Sequence, residues 1–197
     1  MYPKNRIEAL TDGIFAVAMT LLVLDLRIPE DSSSPTDEAS LVRALLVLVP
    51  KFIPYLLSFY VLGISWLSVI KIRSQDETVG SGYARWCLLF LLFVTLLPFS
   101  TVVMGRFTNY TAATTLYAAN FALMALSGYA QMSQLRDPVK DEHWQDRRVS
   151  LLVLLASSLL TIALSFVVPS QALWAFTLNL ASGSMVRAYR RRRPEAA

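Results

Sequence analysis

Long stretches without charge limit what this chain can fold into. Residues 52–70, 86–104, 149–168 and 170–186 contain no Asp, Glu, Lys or Arg. Residues 107–135 are also uncharged, although they are richer in Thr, Asn, Tyr and Ser. A helix needs about 20 residues to cross the roughly 30 Å hydrocarbon core of a bilayer. The five stretches therefore predict five transmembrane helices.

The composition favours a membrane protein and excludes several other classes. Hydrophobic residues make up 55% of the 197 residues and charged residues 16%, whereas soluble domains carry about 25% charged residues. The single Cys87 excludes an intrachain disulfide, and the single His143 excludes a two-histidine site within one chain. The sequence contains no phosphate-binding loop, dinucleotide motif, metal-ligand spacing or paired nucleophile and base. We therefore expect neither an enzyme nor a bound cofactor or structural metal.

A sixth helix is predicted near the N-terminus, and its charges are unusual. Asp12 and Asp25 enclose only twelve uncharged residues, but the helical pattern runs over residues 6–28. The residues before it lack the pattern of a cleaved signal peptide, so we expect this helix to remain in the mature protein. Charged residues within a membrane usually face a bundle interior or a water-filled cavity. Of the six predicted helices, this one is therefore expected to have the least contact with lipid.

These patterns predict an all-α integral membrane protein that forms one domain over residues 1–197. Residues 41–49 are expected to form an amphipathic lead-in to the second helix, and residues 189–197 a basic cytoplasmic tail. The six helices are expected near residues 6–28, 48–72, 84–105, 109–134, 148–168 and 170–188.

The positive charges predict that both termini lie in the cytoplasm. One side of the six spans carries 14 of the 18 basic residues: Lys4, Arg6, Lys71, Arg73, Arg85, Arg136, Lys140, Arg147, Arg148, Arg187 and Arg190 to Arg193. The other side carries Arg27, Arg43, Lys51 and Arg106. The run of four arginines adjoins a span, so we expect it to bind anionic lipid rather than nucleic acid.

One face of the first helix carries an apolar stripe at spacings of three and four residues: Leu10, Ile14, Val17, Leu21, Leu24 and Ile28. The stripe is either a packing seam between helices or, where several copies of the helix meet on an axis, a pore wall. In the second case the apolar rings form a constriction that gates by dewetting. Thr20, at the edge of the stripe, then places a hydroxyl near the narrow point. Asp12 and Asp25 need water or a partner, which favours the pore.

The charged ends of this helix leave two further alternatives open. Arg6 and Asp12 are too far apart to pair as neighbours on one helix face, so each needs a partner on another helix, on another subunit or in water. Thr11 precedes Asp12 and has an alternative role as a helix N-cap, which would start the helix later. Asp12 and Asp25 also allow a proton-conducting or proton-coupled pathway as the alternative function.

The stretch RIEALTDGIFAVAMTLLVLDL resembles the first-helix signature of the prokaryotic relatives of lysosomal transmembrane protein 175, a potassium channel family. The hallmark of that family is Arg, three residues, Phe, Ser, Asp and a small residue. The positions that match or nearly match it are Arg6, Thr11, Asp12 and Gly13, with Leu10 in place of Phe. The segments SFYVLGISW, ending at Trp66, and LLPFSTVVMG extend the resemblance over the first three helices.

The resemblance implies a potassium-preferring cation channel, a homotetramer without a TVGYG filter, in which the first helix of each subunit lines a central pore. By position, Val17 is the narrowest apolar ring, Leu21 and Leu24 are further rings toward the outside, and Thr20 is the threonine linked to potassium preference. The network at the cytoplasmic end of the pore corresponds to Arg6, Thr11, Asp12, Gly13 and Trp66. The implied partners are other copies of the chain, the lipid bilayer of a prokaryotic plasma membrane and permeating monovalent cations.

Overall fold

The structure is a computed structural model that describes residues 1–28, 37–71, 77–135 and 142–180. The described chain is mostly helical, and its longer helices are α1 (Lys4–Leu21), α2 (Glu38–Ile70), α3 (Ser81–Arg106), α4 (Thr111–Ser133) and α5 (Glu142–Ser165). A 3₁₀ turn at Leu22–Asp25 continues α1, a second 3₁₀ segment spans Pro169–Phe176, and α6 covers Thr177–Leu180. Two short strands, β1 (Tyr2–Pro3) and β2 (Thr78–Val79), pair antiparallel.

Four helices of the described residues are long and apolar enough to cross a membrane: Lys4–Asp25, Glu38–Ile70, Ser81–Arg106 and His143–Ser165. The predicted fourth span appears as α4, which has 23 residues, but its Thr, Asn and Ser side chains lower its hydropathy below that of the other four. In the described part of the predicted sixth helix, 170–188, the structure differs from the prediction, because residues up to Phe176 are 3₁₀ and α6 begins at Thr177. The remainder of that helix and the basic tail at 189–197 lie outside the described residues.

The start of α2 differs from the prediction for a local reason. Asp37 caps the helix, accepting from the Ser40 N–H at 2.9 Å, while the Asp37 N–H donates to Ser40 Oγ at 3.2 Å. This reciprocal capping box starts α2 at Glu38, so the predicted lead-in at 41–49 is part of the helix itself. The hydrogen bonds from the Ser40 side chain and backbone also hold the pKa of Asp37 below its usual value.

Two other helix boundaries also differ from the sequence-based expectations. Residues 26–28 are not helical, because α1 ends at Leu21 and its 3₁₀ turn at Asp25. The fifth helix begins at Glu142 rather than near residue 148, so the charged segment before the apolar run is already helical. Arg147, which the charge pattern placed in a loop, consequently lies inside α5 and is buried.

The core of the bundle lies where α3, α4 and α5 meet. Tyr117, Phe121 and Phe176 form an aromatic cluster with ring centroids 4.9–5.6 Å apart. A Cβ atom at Gly128 would lie 3.2 Å from Leu151 and 3.3 Å from the Phe90 ring, so the missing side chain is what lets these helices approach closely.

Buried hydroxyl groups join α2 to α3 and α4 in the middle of the bundle. Ser58 Oγ lies 2.8 Å from Thr101 Oγ1 and 2.9 Å from the Tyr117 hydroxyl. Asn120 of α4 donates to the backbone carbonyl of Phe93 and to Ser100 Oγ, each at 3.2 Å. Because lipid offers no hydrogen-bond partners, these contacts satisfy the polar groups within the bundle and set which helix faces meet.

The strand pair fixes which helix ends lie together. β1 precedes α1 and β2 precedes α3, and the Lys4 N–H donates to the Glu77 carbonyl at 2.9 Å. Arg147 near the start of α5 donates to Gln131 near the end of α4, and both line a cavity with Lys4. The starts of α1, α3 and α5 and the end of α4 therefore form one end of the bundle, here called the N-terminal end. Asp25 and Arg106 lie at the opposite end.

Candidate ion pathway

One face of α1 packs against the rest of the chain. Its buried residues, at spacings of four, three and four, are Thr11, Phe15, Ala18 and Leu22. The ring of Phe15 lies 5.9 Å from that of Phe90 on α3, measured between centroids. Even so, the first span, Lys4–Asp25, is the least buried of the four apolar spans. In its most apolar 18-residue stretch 22% of the residues are buried, against 28–50% in those of the others. Most of its apolar surface is therefore free to contact something outside this chain.

The exposed face of α1 contains most of the predicted pore residues. Leu10, Val17 and Leu24 recur every seven residues and are 46%, 56% and 57% exposed, and Leu21 is 43% exposed. Gly13 and Thr20 lie between them on the same face and are also exposed. Ile14, which the sequence pattern included in the stripe, is instead partly buried against the core. The exposed face is therefore an apolar stripe interrupted by a glycine and a hydroxyl. We call it the α1 stripe, defined by Leu10, Gly13, Val17, Thr20, Leu21 and Leu24.

Thr20 is the polar side chain at the centre of the α1 stripe. Its hydroxyl donates to the Val17 carbonyl at 2.8 Å. Because the hydroxyl proton bonds to the backbone of the same helix, the lone pairs of Oγ1 face away from the helix. Such an oxygen accepts hydrogen bonds or coordinates a cation, and it does so without any rearrangement of the helix.

The structure brings together two members of the predicted network, Asp12 and Trp66. Trp66 Nε1 donates to Asp12 Oδ1 at 2.9 Å and so joins α1 to the last turns of α2. Thr11 points the other way, into the core. Its hydroxyl donates to the Ile7 carbonyl at 2.8 Å and lies 3.8 Å from Cys87 Sγ. Thr11 is mid-helix, so the alternative role as an N-cap is wrong.

The other two members of that network have no partner within the described chain. Arg6 is exposed, and no described residue forms a hydrogen bond or ion pair with it. Gly13 faces open space, since a Cβ atom there would meet nothing within 4 Å. Both residues lie on the side of α1 that the rest of the chain leaves uncovered.

The far end of α1 is held by an ion pair that the sequence did not identify. Arg106, at the end of α3, contacts Asp25 Oδ1 through Nη2 at 2.9 Å and Nε at 3.2 Å. The Asp25 side chain is 11% exposed and that of Arg106 53%. The sequence indicates that Asp25 needs a partner, but it does not identify a partner 81 positions along the chain. This pair anchors the 3₁₀ turn of α1 to α3.

The arrangement is suited to conduction rather than to covalent chemistry. In the parts of the chain that the structure describes, no three His, Cys, Asp or Glu residues approach closely enough to hold a metal ion. The charged groups of the first span lie in the first half of α1, as far as Asp12, and in the 3₁₀ turn at Asp25. Between Asp12 and Asp25 the stripe is apolar apart from Thr20. Several such helices around an axis would form a narrow, mostly apolar path with charge at its mouths.

Comparisons with known proteins show similarity to ion channels. A family model described as the endosomal/lysosomal potassium channel TMEM175 matches residues 6–98. A potassium channel of Chamaesiphon minutus is 33% identical over 125 residues, which cover 62% of this chain and 61% of that protein. One of Streptomyces collinus is 31% identical over 127 residues, which cover 64% of this chain and 60% of that protein. The matched region thus spans about three fifths of the length of these curated relatives.

A vertebrate protein and a solved structure extend the comparison. The rat endosomal/lysosomal proton channel TMEM175 is 37% identical over 87 residues, which cover 39% of this chain and 17% of that protein. The crystal structure of a lysosomal potassium-selective channel TMEM175 homolog from Chamaesiphon minutus superposes with a TM-score of 0.77 at 27% identity. That superposition covers 92% of this chain and 97% of the other. These proteins are ion channels rather than enzymes.

Proposed function

This chain is a relative of the TMEM175 channels, and from that premise we propose that it is a potassium-preferring cation channel. The α1 stripe lines the pore, with Val17 as the narrowest apolar ring and Leu21 and Leu24 as further rings. Thr20 supplies the oxygen ligands that favour potassium. No TVGYG filter is present in the sequence, so we place the selectivity in this helix.

One observation carries the proposal: α1 buries one face in its own chain and exposes the other, which holds Val17, Thr20 and Leu24. A stripe of this kind inside one subunit would be a packing seam, but it faces away from the subunit. A ring of apolar side chains around an axis excludes water when closed and so stops ions. The hydroxyl of Thr20 lies one turn from Val17, where a passing cation loses part of its hydration shell.

The subunit number in the proposal is four, arranged as a homotetramer. A single 22.0 kDa chain offers only one helix of this type, and a pore needs that helix from several copies around one axis. Closed rings of identical subunits are the usual form of such assemblies. Arg6 and Gly13, which face away from their own subunit, are then available to neighbouring copies.

The proposed location is a prokaryotic plasma membrane, with both termini in the cytoplasm. The described N-terminal end of the bundle carries Lys4, Arg6, Arg85, Arg147 and Arg148, and positive residues remain on the cytoplasmic side of membrane proteins. The bundle end with Asp25 and Arg106 then faces outward.

A second candidate function is proton conduction, because Asp12 is exposed on α1 and some relatives are named proton channels. The carboxylates are already engaged, however. Asp12 accepts from Trp66 at 2.9 Å and Asp25 forms an ion pair with Arg106 at the same distance. A proton carrier must release such contacts in every cycle, so the geometry favours structural roles for both residues.

The experiment that tests the proposal is the reversal potential of purified protein in a planar bilayer, with potassium on one side and sodium on the other. We expect the reversal potential to shift from zero toward the equilibrium potential of potassium. A current that does not distinguish the two cations would contradict potassium preference. A proton flux abolished by both Asp12→Asn and Asp25→Asn, with no potassium current, would support the second candidate instead.

A further inference from the structure

A buried guanidinium lies at the N-terminal end of the bundle, away from the α1 stripe. Arg147, in the second turn of α5, is only 3% exposed. Its Nη2 donates to Gln131 Oε1 on α4 at 3.1 Å. Its Nε is buried and has no hydrogen-bond partner. A buried donor without an acceptor is costly, so this nitrogen calls for a further ligand.

The charge of Arg147 is also uncompensated within the described chain. The ion pairs among the described residues are Lys4 with Glu8 and Arg106 with Asp25, and neither includes Arg147. Gln131, its hydrogen-bond partner, is neutral. Burying a charge without an opposite charge is far more costly than burying it as part of a pair. An anion beside the guanidinium would compensate the buried charge, whereas a water molecule would not.

A small cavity lies beside this guanidinium. Its volume is about 20 Å³, enough for one particle of the size of a water molecule. The polar residues that line it are Lys4, Glu8, Thr11, Tyr83, Gln131 and Arg147. Two of these are cationic and one is anionic, which leaves one net positive charge. Glu8 is half exposed and its carboxylate is held by Lys4 at 3.5 Å, so it does not neutralise Arg147.

We propose that this cavity binds a small monovalent anion, chloride, held by the positive charge of the Arg147 guanidinium. The small size of the cavity suits a monatomic anion.

The anion site connects α1 to three other helices. Lys4, Glu8 and Thr11 belong to α1, Tyr83 to α3, Gln131 to α4 and Arg147 to α5. A bound chloride therefore holds the first two turns of α1 against the bundle. Chloride binding at this site and its effect on stability do not depend on whether the protein conducts ions.

The test is the thermal stability of the purified protein in potassium chloride and in potassium gluconate at equal concentration. We expect Tm to be higher in chloride, by about 3 °C when chloride is about ten times Kd. Arg147→Gln should abolish the difference. Arg148→Gln is the matched control, because Arg148 is adjacent and exposed and does not line the cavity; it should leave the difference intact. Glu8→Gln removes a repelling carboxylate and should enlarge it.

Two results would overturn the proposal: an unaltered protein whose Tm is the same in both salts, or an Arg147→Gln variant that keeps the full difference. If that variant fails to fold, crystals of the unaltered protein grown in bromide provide the test. An anomalous peak in the cavity beside the Arg147 guanidinium is expected, and a map without one would contradict the site.

Discussion

Val17→Asn is expected to raise the potassium conductance of the reconstituted protein. Val17 is 56% exposed on the α1 stripe, and in the proposed assembly its copies form the narrowest apolar ring. An amide there can hydrogen-bond to water, so the constriction stays wet and the barrier to a hydrated cation falls. A fall of about 1.4 kcal/mol corresponds to roughly a tenfold rise in rate. Single-channel recording in a planar bilayer measures the change.

The matched control for this variant is Val23→Asn. Val23 is also an exposed valine of the first span, at 48%, but it is not part of the α1 stripe. The same substitution there tests whether a polar group on an exposed surface of this helix is enough to change the current. If correctly folded Val17→Asn, Val23→Asn and unaltered channels have equal conductance, Val17 does not form the constriction.

Thr20→Val is expected to abolish most of the preference for potassium over sodium. Valine nearly matches threonine in shape but replaces the hydroxyl by a methyl group, so the helix should be unchanged while the oxygen is lost. In the present structure that hydroxyl donates to the Val17 carbonyl at 2.8 Å, which leaves its lone pairs outward. Without them the pathway offers a cation no side-chain oxygen at this level. The bi-ionic reversal potential should therefore move toward zero.

Thr20→Ser provides the comparison that isolates the hydroxyl. Serine keeps the oxygen at the same position and loses only the methyl group, so potassium preference should largely persist. Thr95→Val serves as a control outside the stripe, because the Thr95 hydroxyl makes the same type of bond to the Leu92 carbonyl on α3. If the reversal potential is unaffected by Thr20→Val, selectivity arises elsewhere in the chain.

Much of the helical fold follows from the sequence, because lipid demands long uncharged helices and leaves few alternatives. The uncharged runs at 52–70 and 86–104 lie within α2 and α3 as expected. Boundaries were less predictable. The Asp37–Ser40 capping box starts α2 near residue 38. The charged segment before the apolar run of α5 is also helical, so α5 begins at Glu142 rather than near residue 148. The segment expected to begin a sixth helix is 3₁₀ over Pro169–Phe176, which hydrophobicity alone does not reveal.

The candidate pathway was predictable where one helix carries the information. The spacing of Val17, Leu21 and Leu24 places them on one face, and the structure exposes that face. Ile14 was wrongly included, because helical periodicity cannot tell which edge of a stripe the neighbouring helices cover. Contacts between distant residues were harder to foresee. Asp25 with Arg106 and Arg147 with Gln131 depend on how α3, α4 and α5 stack, and no local pattern specifies that.

The most direct test of the central claim, that the α1 stripe lines the ion pathway, is block of the current by a thiol-specific cationic reagent. The chain is suited to it, since its one cysteine, Cys87, is 1% exposed and the unaltered protein should not react. We predict that Val17→Cys and Thr20→Cys channels are blocked and that Val23→Cys channels are not. Block of Val23→Cys with Val17→Cys and Thr20→Cys insensitive would contradict the account.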